Sequence, residues 1–136
     1  MHQQIITIKT KGQGLIEFTE DVRCAVREAK MAAGLCHLFC RHTSAGLIIQ
    51  ENADPSAKFD LEQFIKRLVP ENDPAFTHTL EGADDMPSHI KSVLTGMSLT
   101  IPILRHELAL GTWQGIYLWE FRTRPQAREV IVSLAG

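Results

Sequence analysis

Three polar stretches of the chain carry side chains that could do chemistry. The first is His42-Thr43-Ser44 and the second is Glu51-Asn52-Ala53-Asp54. The third is His78, followed by Glu81-Gly82-Ala83-Asp84-Asp85 and His89. Imidazole nitrogen and carboxylate oxygen are good ligands for divalent metals such as zinc or magnesium. Two or three histidines with a carboxylate, and one coordination position left open, make a catalytic arrangement. His42, His78 and His89 are therefore the candidate metal ligands and the candidate acid–base groups. The spacing is not a metal signature in itself, because only tertiary structure could bring His78 and His89 to His42.

Each of these residues also has a plainer role open to it. Asp54 precedes Pro55 and reads as a helix N-cap. Asp84 and Asp85 could cap a short helix starting near Pro87, and His89 would border that helix's apolar face. A phosphate could bind at the same helix start, where amides point outward. Cys40 and His42 share a strand face and could hold a metal together, although a buried Cys is usually core. In 113–122, Gln114 and Glu120 share a face with Ile116 and Leu118. A carboxylate there needs a partner or a raised pKa, or else it is a rim residue paired with an arginine. No P-loop, GxGxxG or GxSxG elbow occurs, which argues against a nucleotide fold and against serine hydrolase chemistry.

The elements that must position these groups follow from periodicity and turn signals. Residues 3–9 and 14–18 read as a hairpin around Lys11-Gly12-Gln13-Gly14. Thr19 would cap a helix over 20–33, closed by Gly34. Strands follow at 35–43 and 46–52, then a helix from Pro55 to about 69 with Leu61, Phe64, Ile65 and Leu68 on one face. Residues 70–85 read as loop, followed by the short helix to Gly96. Strands are expected at 97–104, 107–110, 113–122 and 127–134. This order is not a βαβ alternation. It implies one α+β domain over 1–136, a mainly antiparallel sheet packed with two longer helices and one short one.

Composition bounds the rest. The 136 residues suffice for one core without staples, and 44% apolar with 22% charged is ordinary for a globular domain. A net charge of -2 gives no basic excess for nucleic acid. No apolar run approaches a membrane span and no leader-like start is evident, so a cytoplasmic location is expected. Three cysteines, an odd count with no CxxC pair, argue against a disulfide framework.

Taken together, the motifs resemble those of the secondary thiamine-phosphate synthase (YjbQ-type) family. His42-Thr43-Ser44-Ala45 with Glu51-Asn52-Ala53-Asp54-Pro55 is similar to its first motif. The run from Glu81 to Ser92, preceded by His78, is similar to the second. Ser98-Leu99-Thr100-Ile101-Pro102 with Gly111-Thr112-Trp113-Gln114-Gly115-Ile116 is similar to the third. Small departures are Gln50, Met97 and Arg105-His106-Glu107, the last replacing a turn that usually contains Gly. The resemblance implies a homotrimer with a histidine cluster that often holds a metal. It also implies joining of a hydroxymethylpyrimidine diphosphate to a thiazole phosphate, with release of pyrophosphate. His42, His78 and His89 carry over as metal or catalytic histidines, and Asn52, Asp84, Gln114 and Glu120 as polar partners. The alternatives are a metal-dependent hydrolase of a small phosphorylated or heterocyclic substrate, and a non-enzymatic trimeric ligand- or metal-binding protein. The apolar face Trp113, Tyr117, Trp119 and Phe121 would be a contact surface for assembly.

Overall fold

The computed structural model describes residues 1–136. In chain order the elements are β1 (His2–Lys9), β2 (Gly14–Glu17), α1 (Thr19–Ala29), β3 (Ala33–Cys40), β4 (Ala45–Glu51), α2 (Pro55–Leu68), α3 (Asp85–Thr95), β5 (Ser98–Leu104), β6 (Glu107–Leu108), β7 (Gln114–Glu120) and β8 (Ala127–Ala135). The strands form a five-stranded sheet, β1-β8-β3-β5-β6, and a three-stranded sheet, β2-β7-β4, antiparallel throughout. The result is the single-domain α+β fold that the element order implied.

The main core lies between the inner faces of the two sheets and α1, built from residues such as Val22, Leu38, Leu47, Ile116, Leu118 and Val132. A smaller cluster of Leu15, Ile65, Tyr117, Trp119 and Phe121 packs beneath α2. The alternation read in β7 is therefore real, but both of its faces are covered. Ile116 and Leu118 face the main core, while Tyr117 and Trp119 face α2. The expected contact surface on Trp113, Tyr117, Trp119 and Phe121 does not exist: the last three are buried and only Trp113, outside the strand, is exposed.

Other expectations are corrected by long-range pairing. Strands β1 and β2 are not a hairpin; β1 pairs with β8 and β2 with β7. Thr10, in the link, is buried, and its hydroxyl bonds Glu120 Oε1 at 2.9 Å, which turns the chain from one sheet into the other. Helix α1 starts after Phe18, so Thr19 is not its cap; its hydroxyl donates to Glu17 Oε2 and accepts from the Ile116 amide. The same helix ends four residues early, at a left-handed Lys30, because Gly34 is already inside β3 beside Ala135. Only Ile65 of α2 is buried, and Phe64 and Leu68 face outward. Helix α3 starts at Asp85, before Pro87, and at 11 residues it equals α1 in length. The Arg105-His106 turn takes positive φ at both residues (53° and 69°), the two-residue hairpin geometry, and fixes the register Leu104↔Glu107 without glycine.

Two local readings hold. Asp54 accepts from the Ser56 amide at 2.9 Å and caps α2 with Pro55 behind it. Cys40 is core, and burial pushes the Cys36 thiol up to about 11. Helix α3 lies close over β4: a Cβ on Gly46 would collide with Thr95 Oγ1, and Ser92 donates to the Ala45 carbonyl at 2.7 Å. No helix is long and apolar enough to cross a membrane.

Candidate functional site

That docking of α3 on β4 brings the first turn of the helix against the 42–44 turn and the end of β7. Asp85 and His89 stand four residues apart, on one helix face. His78 reaches back from the preceding loop. His78 Nε2 lies 2.6 Å from Asp85 Oδ2, and His89 Nε2 lies 3.3 Å from Asp85 Oδ1. The two imidazole rings are 5.4 Å apart between centroids. One donor atom from each of the three residues falls within a 4.8 Å cluster. The Asp85 side chain is 2% exposed, His89 30% and His78 51%, so the carboxylate is the floor of the site and the imidazoles are its open side.

Each member is oriented. His89 Nδ1 lies 2.8 Å from the Thr43 carbonyl. A carbonyl only accepts, so Nδ1 donates to it and Nε2 is the nitrogen turned toward Asp85, the one that would ligate a metal in the neutral ring. Metal-ligating histidines are held in this manner. Ser88 Oγ donates to the Asp85 carbonyl, which steadies the helix start. Arg122, just past the end of β7, donates from Nη1 to Asp85 Oδ1 at 2.5 Å, from Nε to Asp84 Oδ2 at 2.9 Å and from Nη2 to the Glu81 carbonyl at 2.9 Å. Burial alone would raise the Asp84 carboxyl. Hydrogen bonds from the Thr123 amide and Arg122 outweigh it and hold the group below its usual range. The helix start therefore carries the chain's own carboxylates at the place where a phosphate could have bound.

The donor set fits a divalent cation: two imidazoles and one carboxylate, with the solvent side open. Tetrahedral ligation at about 2.0–2.1 Å needs donor atoms about 3.3 Å apart, and the three donors lie within 4.8 Å of one another.

The other expected residues go elsewhere. His42 Nε2 accepts from the Glu129 amide at 2.7 Å and is outside the cluster. Burial, then the nearby Arg128 charge, pushes its pKa down. The turn 42–44 serves as scaffold: His42 ties β8, the Thr43 carbonyl orients His89, and Ser44 Oγ accepts from Arg128 at 2.8 Å. Asn52 donates to Glu17 Oε2 at 3.0 Å, and Gln114 Oε1 accepts from the Gly111 amide at 2.7 Å. Glu120 is wholly buried. It accepts from Arg128 at 2.7 and 2.5 Å, from Thr10, and from the amides of Phe121 and Arg122. It is paired with an arginine, as one reading had it, but at the centre of the molecule and not at a rim. Sequence reasoning placed Asp85 in the third polar stretch without choosing it over Asp84 as the carboxylate beside the histidines, and gave Arg122 no role in the site. The Asp85/His89 spacing on one helix was the available signal; for Arg122 there was none.

Residues 4–136 match the family model described as UPF0047 protein YjbQ-like. The chain is 51% identical to a UPF0047 protein of Synechocystis over 99% of this chain and 92% of that one. It is 40% identical to the UPF0047 protein YjbQ of Escherichia coli over 99% and 98%. A crystal structure of a YjbQ/UPF0047 family protein from Clostridium acetobutylicum superimposes with a TM-score of 0.90 at 37% identity, covering 97% of this chain and 99% of that one.

Proposed function

The chain belongs to the YjbQ-like UPF0047 family, and from that premise we propose that His78, Asp85 and His89 form the centre of a divalent-metal-assisted enzyme acting on a small phosphorylated or heterocyclic substrate. Family membership carries no activity with it, so the reading rests on one observation. His89 is locked by the Thr43 carbonyl with its free nitrogen turned toward a buried carboxylate and a second imidazole. Of the expected metals, such a set suits zinc better than magnesium, which prefers oxygen ligands; the ion would supply charge neutralisation to a leaving phosphate group.

The chain's own residues do the rest. Arg122 neutralises Asp85 and keeps it in place. His78, half exposed, is the group placed to pass a proton between substrate and solvent. In its narrowest form the reaction is the thiamine-phosphate synthase condensation that the sequence motifs resemble. A thiazole nitrogen forms a bond to the methylene carbon as the carbon–oxygen bond to diphosphate breaks, and pyrophosphate leaves with the electron pair. With water in place of the thiazole, the same groups would make a hydrolase, and the product separates the two.

The test is elemental analysis of purified protein beside His89→Ala, with product assays on both substrate types. Near-stoichiometric metal and turnover in the wild type, both absent from the variant, support the proposal. A metal-free wild type with turnover unchanged in His89→Ala would sink it. One observation favours a second reading, a binding protein without turnover: Arg122 already neutralises Asp85 at 2.5 Å. Chelation would then lower the melting temperature with no activity to lose.

The homotrimer belongs to the proposal as well, on a different surface from the one first expected. Ile5, Leu35, Phe39 and Leu104 are 44–58% exposed and share the outer face of the five-stranded sheet. An apolar sheet face of that kind marks a protein–protein contact. Leu35→Lys with Phe39→Lys would give a smaller species by light scattering; an unchanged mass would remove this face from the interface. A cytoplasmic location completes the reading, consistent with three free cysteines in a reducing compartment; fractionation checks it.

A further inference from the structure

On the other side of the Arg122-Thr123 segment lies a cleft of about 700 Å³, within the range of small-molecule sites. It belongs to none of the groups described above. Lys91 of α3, Lys66 of α2 and Lys11 of the β1–β2 link line it, with Gln13, Thr123 and a single acidic residue, Glu71. Three ammonium groups against one carboxylate make this a local positive patch on a chain of net charge -2.

Lys91 is the informative member. It is 3% exposed, yet it makes no ion pair and no hydrogen bond; every buried carboxylate nearby is already engaged by an arginine. The face of Phe121 lies 5.9 Å from Nζ to the ring centroid, and the favourable charges of Glu71 and Asp84 act only from beyond ion-pair distance. Lysine is almost never buried unless paired. Here the stem is buried while the ammonium itself keeps contact with solvent at the base of the cleft, so the charge is presented to whatever enters without a close counter-charge of its own. Lys11 and Lys66 are exposed and could have been directed apart; the fold instead gathers them at the mouth above Lys91. A bound anion reconciles all three. It supplies a close counter-charge to Lys91 and screens the repulsion among the lysines, while Gln13, which donates to the Thr123 hydroxyl at 3.3 Å, and that hydroxyl each keep one hydrogen to offer.

We propose that this cleft is an anion subsite, with Lys91 at its base and Lys11 and Lys66 at its rim, that takes the phosphate or diphosphate group of a small molecule. The subsite does not depend on the histidine cluster being a metal centre. Its backbone link to that cluster is one residue long, since Thr123 lines the cleft and Arg122 holds Asp85.

The experiment titrates chelator-treated, metal-free protein with inorganic phosphate and with pyrophosphate by calorimetry, in a buffer free of other multivalent anions. Saturable binding of either anion by the wild type is expected. Lys91→Met should weaken it at least tenfold, and Lys11→Ala with Lys66→Ala should weaken it and flatten its salt dependence. Those two lysines are at the surface, so the paired variant tests the cleft even if Lys91→Met fails to fold. His78→Ala with His89→Ala should bind as the wild type does. Absence of saturable binding by the wild type overturns the proposal. So does unchanged affinity in the folded lysine variants, or loss of binding in the histidine pair, which would put the anion at the cluster instead.

Discussion

Glu120 and Arg122 stand two residues apart at the end of β7, yet they anchor two polar clusters of opposite character. Around Glu120 every acceptor position is filled: two bonds from Arg128, one from Thr10 and two from backbone amides, and the carboxylate is wholly buried among buried partners. Around Arg122 the arrangement is unfinished. Asp85 is buried and held, but His78 and His89 open to solvent, and His89 turns its second nitrogen toward the carboxylate at 3.3 Å with no hydrogen bond closed there. Similar side chains thus make a structural strut in one place and a candidate site a few ångströms of chain away. The difference lies in whether donors and acceptors balance, not in the residue types. A saturated network specifies a core; an unsaturated, accessible one has capacity left for a ligand.

Mutation can break that comparison, and the largest effect should come from the strut. Arg128→Met leaves a wholly buried carboxylate without its counter-charge and should cost about 3–5 kcal/mol in urea unfolding. If the variant unfolds within about 1 kcal/mol of the wild type, the two clusters do not differ as argued. Next is Asp85→Asn, or His89→Ala. Either should weaken divalent metal binding by about tenfold or more, read by competition with a chromophoric chelator. Metal-free His89→Ala should stay close to wild-type stability, whereas Asp85→Asn also loses the buried Arg122 ion pair and should be the less stable of the two. A large loss of stability with metal affinity intact would move this cluster into the structural class.

A third effect sharpens the role of the 42–44 turn. His42 has a pKa lowered in the folded protein, mainly by burial, so the folded state resists its protonation. Stability from this group is present above the ordinary histidine value of about 6.5 and is lost as pH falls through the folded-state value. Unfolding midpoints between pH 7.5 and 5 should fall less steeply in His42→Gln than in the wild type; equal slopes would remove His42 from the account. The smallest effects belong to Gln114→Ala and Asn52→Ala. Their bonds lie outside both clusters and should cost about 1 kcal/mol or less, with turnover and metal content unchanged.

Local chemistry made part of this molecule legible in the sequence. The Asp54-Pro55 start of α2 and the two-faced alternation of β7 were readable, because each rests on neighbours within a few residues. Pairing was not. Whether β1 turns back on β2 or crosses to β8 depends on Thr10 meeting Glu120, 110 positions away. The outward Phe64 and Leu68 of α2 follow helical spacing as well as Ile65 does, and only the limited cover beneath the helix decides among them. In the site, the meeting of His78 with His89 followed the motif order. His42 did not join them, because a turn histidine with a backbone amide 2.7 Å from its ring nitrogen has already found its partner.

The order of strands has a consequence for the making of the protein. β8 lies between β1 and β3, although it follows all seven other strands in chain order. A growing chain that has translated β7 has made Glu120 but not yet Arg128, so the carboxylate at the heart of the molecule waits for its cation. The larger sheet stays split for the same interval, its first strand with no edge to join. Folding to completion must follow synthesis of β8, with pairings such as His2 to Leu134 closed at the greatest chain separations in the molecule, where loop entropy slows the search most. Chains that stall before that strand would present an open sheet and an uncompensated charge, the features by which quality control tells an unfinished protein from a finished one.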